Sequence, residues 1–250
     1  MKKTFILYIL LVGFLAHGQI KNLSITYGCA YNVKAEDRMN NSEKLKNEHP
    51  EIYEETIQTD SLVNFITFKL IYKDSVSLSY GNKPINIELI DVYNDFEGSD
   101  TIYSSLETDE ILIYKKDYWG KNLLINYKYK NYSWYLTNET KLINQTTCYK
   151  ATLTYNTEDK KNTYQIKVTA WYNPQINIPI GPKGFGGLPG VILELEDGYR
   201  TYYPKEISIN KNDLKINFNI PKKIEKISLD DFRRTYDDMK REYKNFIFEN

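Results

Sequence analysis

Apolar and polar residues alternate along most of the chain, in short segments that Asn, Asp, Gly and Lys separate. A period of two, with Ile, Tyr, Thr and Val at many of the positions, is typical of β-strands. The pattern therefore predicts a mainly β protein with about ten strands in antiparallel succession. The predicted strands cover residues 62–72, 85–92, 110–119, 123–129, 132–136, 148–156, 163–172, 190–196, 199–209 and 211–220.

The clearest turn is Asp197-Gly198, which lies between the last two long apolar segments. Asp and Gly tolerate the positive φ values of a tight hairpin, so the flanking strands are predicted to pair with each other. No sequence repeat of about 20 to 50 residues is present, which excludes a propeller or a solenoid.

Two segments depart from this pattern. Residues 34–59 are polar and charged, which predicts either an exposed helix or an ordered excursion between two strands. From 229 to 247, apolar residues recur at steps of three and four after a capping-like Ser228 and Asp231, which predicts a C-terminal helix. We expect this helix to pack on the sheet, with a partner-binding helix as the alternative. The apolar stripe consists of Leu229, Phe232, Tyr236, Met239, Tyr243 and Phe246.

The first 18 residues have the three-part plan of a secretory signal peptide: two lysines, an apolar run, and small residues before the predicted cleavage site. We therefore expect residues 19–250 to form one exported, β-rich domain, either periplasmic or extracellular, with no integral membrane segment. The 33 basic side chains include Lys2 and Lys3, so the mature chain has a net charge near −2. A basic surface that would bind nucleic acid is not expected.

Residues with catalytic potential are few. His49 is the only imidazole after the signal segment, and it lies in a charged stretch typical of solvent. Cys29 and Cys148 are predicted either to form a disulfide or to remain as two buried thiols. The chain offers too few soft ligands for a metal site, and no cofactor is expected. Glu194 and Glu196 point the same way on a predicted strand, as a solvated face would.

The stretch GPKGFGGLPGVILEL, residues 181–195, is rich in glycine and proline. Phosphate-binding loops need a Lys-Ser/Thr pair or a third spaced glycine, and they open a helix. This stretch has Pro189 at the glycine position and continues as a strand, so phosphate binding is rejected. We expect it to fold the chain back so that residues 191–196 enter the sheet, with tight turns at Gly181-Pro182 and Pro189-Gly190. Gly186-Gly187 would let the backbone pass close to another strand or to Trp171.

Aromatic residues are abundant, with 23 Tyr, 10 Phe and 3 Trp. Aromatic side chains suit sheets in general. The alternative is that a curved sheet presents some of them to an apolar or extended ligand. The candidates for such a ligand site are Tyr127, Tyr129, Trp134, Trp171, Tyr172 and Phe185.

Residues 134–198 resemble the signature region of the GLPGLI family, a group of exported proteins found chiefly in the Bacteroidota. The resemblance includes Cys148, Lys150, Trp171 and Glu194, while Val191 and Thr146-Thr147 depart from the usual pattern. The motif residues in the loop are Gly181, Pro182, Phe185, Gly187, Leu188, Pro189 and Gly190. The family has no established biochemical activity, and its genes often lie near outer-membrane receptors of the TonB-dependent type.

The overall plan also looks like the half-barrel of periplasmic lipoprotein carriers. We therefore expect a single, strongly curved antiparallel sheet with the C-terminal helix packed on it. The functional expectation is a non-enzymatic envelope protein that binds a hydrophobic or peptide ligand or assists an outer-membrane transport protein. The alternative is a secreted hydrolase with Cys148 as its nucleophile, which would require an accessible thiol of lowered pKa.

Overall fold

A computed structural model describes residues 20–33, 37, 42–118, 120–159, 162–210, 224, 226–229, 231, 232 and 234. The described elements are twelve strands and three helices. The strands are β1 Asn22–Tyr31, β2 Thr67–Lys73, β3 Val76–Gly81, β4 Thr101–Ser105, β5 Glu110–Tyr118, β6 Lys121–Tyr127, β7 Tyr135–Ile143, β8 Thr146–Asp159, β9 Asn162–Asn173, β10 Val191–Asp197, β11 Arg200–Ile209 and β12 Lys226–Ser228. The helices are α1 Ser42–Glu48, α2 Pro50–Leu62 and α3 Ile90–Asp95.

All twelve strands belong to one open sheet in the order β12-β6-β5-β4-β3-β2-β1-β11-β10-β9-β8-β7. Most neighbours are antiparallel and are joined by tight turns. At the β7–β8 turn, for example, Asn144 and Gln145 both have positive φ, at 47° and 64°. The predicted hairpin at Asp197-Gly198 is confirmed, since Asp197 pairs with Arg200 and Gly198 has a φ of 62°.

The predicted architecture of a purely antiparallel sheet with a C-terminal helix was wrong. Strand β12 pairs parallel to β6, with Ile227 opposite Ile125, so the sheet is mixed. Six strands separate β12 from β11, and residue alternation carries no information on strand direction at such a crossover. The described helices α1, α2 and α3 lie in the N-terminal and central parts of the chain.

The ends of the chain are largely outside the described residues. The signal-peptide prediction (1–18), most of the predicted helix (229–247) and the predicted strand 211–220 all fall there. The capping interaction predicted for Ser228 is present, because its Oγ accepts a hydrogen bond from the Asp231 backbone N at 3.0 Å.

The segments 34–59 and 85–92 both contain helical structure. The polar segment at 34–59 contributes helices α1 and α2 in its described part, in line with the helical alternative. Residues 85–92 were predicted as a strand, but they form a 3-10 turn at Ile87–Leu89 and the start of α3. The alternation was misleading there because Ile85 and Ile87 face solvent rather than a core.

The main hydrophobic core lies on one face of the sheet. On β1, for example, Leu23, Ile25, Tyr27 and Cys29 all point to that face and are fully buried. The connection between β9 and β10 packs into the same core, and its 3-10 turn at Pro182–Gly184 contacts β3 and β4. A smaller cluster of Leu78, Tyr103, Leu112 and Leu124 is buried on the opposite face.

Candidate functional site

The glycine-rich stretch is an internal loop of the core. Ile180 and Gly186 form an isolated β-bridge, and Gly187 N donates to Pro179 O at 2.9 Å, so the loop closes on itself. A Cβ atom on Gly184 would lie 2.6 Å from the Tyr127 hydroxyl, on strand β6. Glycine is needed here because the backbone has a φ of 78°, which other residues rarely adopt, and because an added Cβ would clash with this hydroxyl. Close approach also occurs at Gly186, where an added Cβ would lie 2.5 Å from Pro179 O and 2.4 Å from the Tyr129 ring. These groups belong to the loop itself and to the 3-10 turn after β6, rather than to another strand or to Trp171 as expected.

Four of the six predicted ligand-binding aromatics pack around this loop. Phe185 stacks on Tyr132 with ring centroids 5.2 Å apart, and Trp134 meets Phe185 at 6.4 Å. The Tyr127 ring meets Tyr132 edge-on at 6.0 Å. Tyr129 lies against Gly186, where its ring would be 2.4 Å from an added Cβ. The aromatic residues and the loop therefore fill the core side of the sheet around Phe185.

The polar ends of these aromatics already have partners in the protein. Trp134 Nε1 donates to Gly186 O at 2.8 Å, and Tyr129 Oη donates to Ser104 Oγ at 2.7 Å. Burial raises the pKa of Tyr129 to about 12, which keeps the hydroxyl a neutral donor at ordinary pH. The rings thus pack inside the protein, and their hydroxyl and indole N–H groups form hydrogen bonds within it, as is normal for buried aromatic side chains.

A buried lysine anchors the tip of the loop. Lys183 Nζ donates to Glu97 O at 3.0 Å and lies 3.6 Å from the Glu97 carboxylate. Lys115 Nζ and Asp100 Oδ2 form a second buried pair at 2.6 Å. Burial alone would raise the pKa of the Glu97 carboxyl, but the ammonium groups of Lys183 and Lys115 lower it to about 2. Ionic contacts therefore hold the loop on the turn between α3 and β4.

Trp171 and Tyr172 lie on opposite faces of β9, as neighbours in a strand must. Tyr172 belongs to the core and has its ring 6.0 Å from that of Tyr149. Trp171 lies on the outer face, with Lys150 of β8 and Glu194 of β10 directly beside it. The sequence grouped Trp171 with Phe185, but the structure separates them.

The outer face around Trp171 gathers the charged residues of the signature region. Lys141 Nζ lies 4.6 Å from the Trp171 ring centroid and forms an ion pair with Glu194. Lys150 Nζ lies 5.9 Å from the same ring and binds Glu139 at 2.9 Å. The lysines make cation–π contacts with the indole and are each neutralised by a glutamate. The positive and negative charges of this outer-face cluster therefore balance, and the contacts among its side chains hold them in place.

The two cysteines are free thiols on β1 and β8, both buried. Cys148 lies opposite Lys141 on β7. Burial raises the pKa of the Cys148 thiol, although Lys141 partly offsets the effect. A nucleophilic cysteine needs an accessible thiol of lowered pKa, so the environment of Cys148 is the reverse of what the hydrolase alternative requires. Burial also raises the pKa of Cys29, to about 12.

The other candidates for chemistry are isolated. His49 is exposed between α1 and α2, and its Nδ1 lies 3.6 Å from Glu51. Among the described residues, no three His, Cys, Asp or Glu side chains are grouped as a metal site requires. No helix in the described part of the chain is both long enough and apolar enough to cross a membrane.

An exposed apolar surface lies on strand β7, at the end of the sheet. Tyr135, Leu136 and Leu142 are 72%, 51% and 73% exposed, and we call these three residues the rim. Leu136 pairs with Ala151 and Leu142 with Thr147, which places both leucines on the core-side face, whereas Tyr135 pairs with Thr152 and lies on the opposite face of the same strand. A bulge between residues 136 and 140 interrupts the pairing. Sequence reasoning missed the rim, because only the strand's position at the sheet's end leaves its apolar side chains uncovered.

Comparisons with known proteins support the fold. A family model described as "Protein of unknown function (Porph_ging)" matches residues 154–194, which include the end of β8, all of β9, the loop and part of β10. No curated protein matches the chain. Two solved structures, "Structure of PNGF-II in C2 space group" and "Structure of PNGF-II in P21 space group", are similar with a TM-score of 0.50 each.

The similarity to these structures is limited to architecture. Identity is 14% and 13%, over 87% and 88% of this chain. The aligned part makes up 32% and 33% of the PNGF-II chains, so this protein spans about a third of their length. At this identity the similarity shows only that a similar fold occurs within a larger protein. In this chain, the segment 154–194 that matches the family model contains the internal loop.

Proposed function

We propose that the protein is an exported, non-enzymatic binding protein of the cell envelope that holds a segment of a partner protein on the rim. The observation that carries the proposal is the exposure of Tyr135, Leu136 and Leu142 on the end strand of the sheet. Exposed large apolar side chains gathered on one edge are typical of an interaction surface. The N-terminal signal-like segment supports export.

A protein segment fits the rim better than a free lipid does. The core side of the sheet, where a lipid would lie, is filled by Phe185, Tyr132 and the internal loop. An end strand offers unpaired backbone N–H and C=O groups, which a second extended chain can satisfy. Because the bulge divides the paired part of β7 into two short stretches, residues 135–136 and 140–143, we expect the added segment to be short.

The chemistry of the partner segment follows from the side chains around the rim. Leu136 and Leu142 extend the core-side apolar surface outward, and Tyr149 lies beside them on β8 as a partly exposed ring. The partner segment therefore carries apolar side chains at alternate positions. The resemblance to the GLPGLI family supports an outer-membrane transport protein of the TonB-dependent type as the first partner to examine.

Site-specific photocrosslinking tests this proposal. A benzophenone amino acid replaces Leu142 in cells of the source organism, and a matched variant carries it at Ile52, which is exposed on α2. We expect the Leu142 variant to form a crosslink to one envelope protein, within a single short segment. Equal crosslinking from both positions would refute a binding surface on the rim.

A second measurement tests the apolar nature of the contact. With the crosslinked segment as a synthetic peptide, Leu142→Asp should weaken binding at least tenfold, because it buries a charge in the interface. Ile209→Asp, at an exposed position on β11, is the matched control and should leave binding unchanged.

A further inference from the structure

Three large apolar side chains protrude into solvent at one end of the sheet, apart from the rim. Ile85, Ile87 and Phe65 are 105%, 83% and 69% exposed, and we call them the apolar tip. Asn82 bonds to Thr67 twice, through its backbone N at 2.9 Å and its Nδ2 at 2.8 Å. The segment that leads into β2 and the segment that follows β3 therefore lie side by side. Phe65, which precedes β2, thus emerges at the same end of the sheet as the two isoleucines.

The loop that carries the isoleucines has a fixed conformation. Asn86 Oδ1 accepts from Glu88 N at 3.1 Å, and Leu89 N donates to Asn86 O at 3.2 Å, so Asn86 caps the 3-10 turn that contains Ile87. Pro84 restricts the backbone on the other side of Ile85. A defined loop thus holds two isoleucines in water, where their exposure adds nothing to the stability of the fold.

The area of the tip determines which partner it suits. A stable protein interface buries about 800 Å² on each partner, and three side chains of this size supply roughly half of that area. They also protrude singly, whereas protein interfaces are packed like protein interiors. A lipid surface accepts protruding apolar side chains without a complementary shape. We propose that the apolar tip inserts into the interfacial region of a lipid bilayer.

The charges near the tip determine what kind of membrane binding to expect. Lys83 lies in the loop, and Lys205 reaches the adjacent turn, with its Nζ 2.7 Å from Asn64 O. Glu88 and Asp91 follow the isoleucines, so the tip is electrically balanced. Binding is therefore apolar in origin, without preference for anionic lipid. Three side chains resemble a single acyl chain in strength, and binding is reversible.

Vesicle flotation of the purified protein is the direct test. The parent protein should float with phosphatidylcholine vesicles and with mixed phosphatidylethanolamine–phosphatidylglycerol vesicles to a similar extent, at low and at high salt. The double variant I85S/I87S should lower the bound fraction at least tenfold. Leu142→Ser, on the rim, is the matched control and should bind as the parent does. We expect this vesicle binding whether or not the rim binds a partner protein.

Tryptophan substitution supplies a readout that is independent of affinity. Phe65→Trp and Ile85→Trp should each add emission that shifts to shorter wavelength on addition of vesicles, whereas Leu142→Trp should not. The proposal is overturned if the parent protein fails to float, if it binds only anionic vesicles and is released by salt, or if I85S/I87S abolishes a dimer seen by light scattering instead of lipid binding.

Discussion

The indole N–H of Trp134 is bonded to the carbonyl oxygen of Gly186 at 2.8 Å, which joins the start of β7 to the middle of the internal loop. Fifty-two residues separate the two groups in the chain. The contact connects the strand that carries the rim to the loop that fills the core. Its loss should therefore affect the whole domain.

Trp134→Phe should lower the free energy of unfolding by about 1–3 kcal/mol, because the Gly186 carbonyl loses its donor in a partly buried site. The measurement is urea unfolding followed by circular dichroism. The matched control is Tyr135→Phe, the next residue, whose exposed hydroxyl should contribute within about 0.5 kcal/mol. Equal effects of the two substitutions would show that the indole bond contributes nothing.

Gly190 is the position in the loop most sensitive to a side chain. Its φ of 151° and an added Cβ only 2.3 Å from Asn173 O both require glycine. We expect Gly190→Ala to destabilise the protein by at least about 2 kcal/mol. Gly120 also has positive φ, at 75°, but nothing lies within 4 Å of an added Cβ. Gly120→Ala should therefore cost about 1 kcal/mol, and a similar cost at both sites would argue against tight packing at Gly190.

The Lys183–Glu97 contact makes stability depend on pH. The pKa of Glu97 is lowered from 4.5 to about 2 in the folded protein, so the contact stabilises the fold above pH 4.5 and is lost as the pH falls toward 2. The dependence should be shallow, since the Glu97 side chain is 49% exposed and solvent screens the pair. Unfolding free energies of the parent and of Glu97→Gln should differ at pH 6 and converge near pH 2. A constant difference would exclude the ionic contribution.

The thiols should be unreactive in the native state. Burial raises the pKa of both Cys29 and Cys148, so little thiolate is present and access is closed. We expect no labelling by a thiol-specific disulfide reagent until the protein unfolds, and then two thiols per chain without prior reduction. Rapid native labelling of Cys148, absent in Cys148→Ala, would instead revive a catalytic role for this residue.

Local structure was predictable wherever short-range chemistry determines it. The hairpin at Asp197-Gly198 follows from its turn residues, and in the second half of β10 Glu194 and Glu196 alternate with a buried Leu195 as a period of two predicts. The same period misled at residues 85–92, because isoleucines that face solvent give the same alternation as a half-buried strand. The parallel pairing of β12 could not be predicted, since nothing in Lys226–Ser228 identifies β6 as its neighbour.

The candidate site was predicted only in part. Aromatic density and glycine content pointed to the region around Phe185 as a ligand site, and the structure places the protein's own loop there. Residue spacing also could not place Trp171 on the outer face beside Lys141, because alternation divides a strand into two faces without showing which face is the core side or how β7 is registered against β8. The rim and the apolar tip depend on which strand ends the sheet and which loop faces outward. These are properties of topology.

The internal loop has a consequence for how the chain folds. Gly184, in the connection between β9 and β10, packs against Ile102 of β4 and Ile111 of β5, residues more than 70 positions earlier. Contacts so distant in sequence form slowly, because a long stretch of chain must be ordered before they contribute. The loop therefore joins the part of the sheet that contains β4 and β5 to the part that contains β9 and β10. The domain should therefore complete this part of its core late in folding.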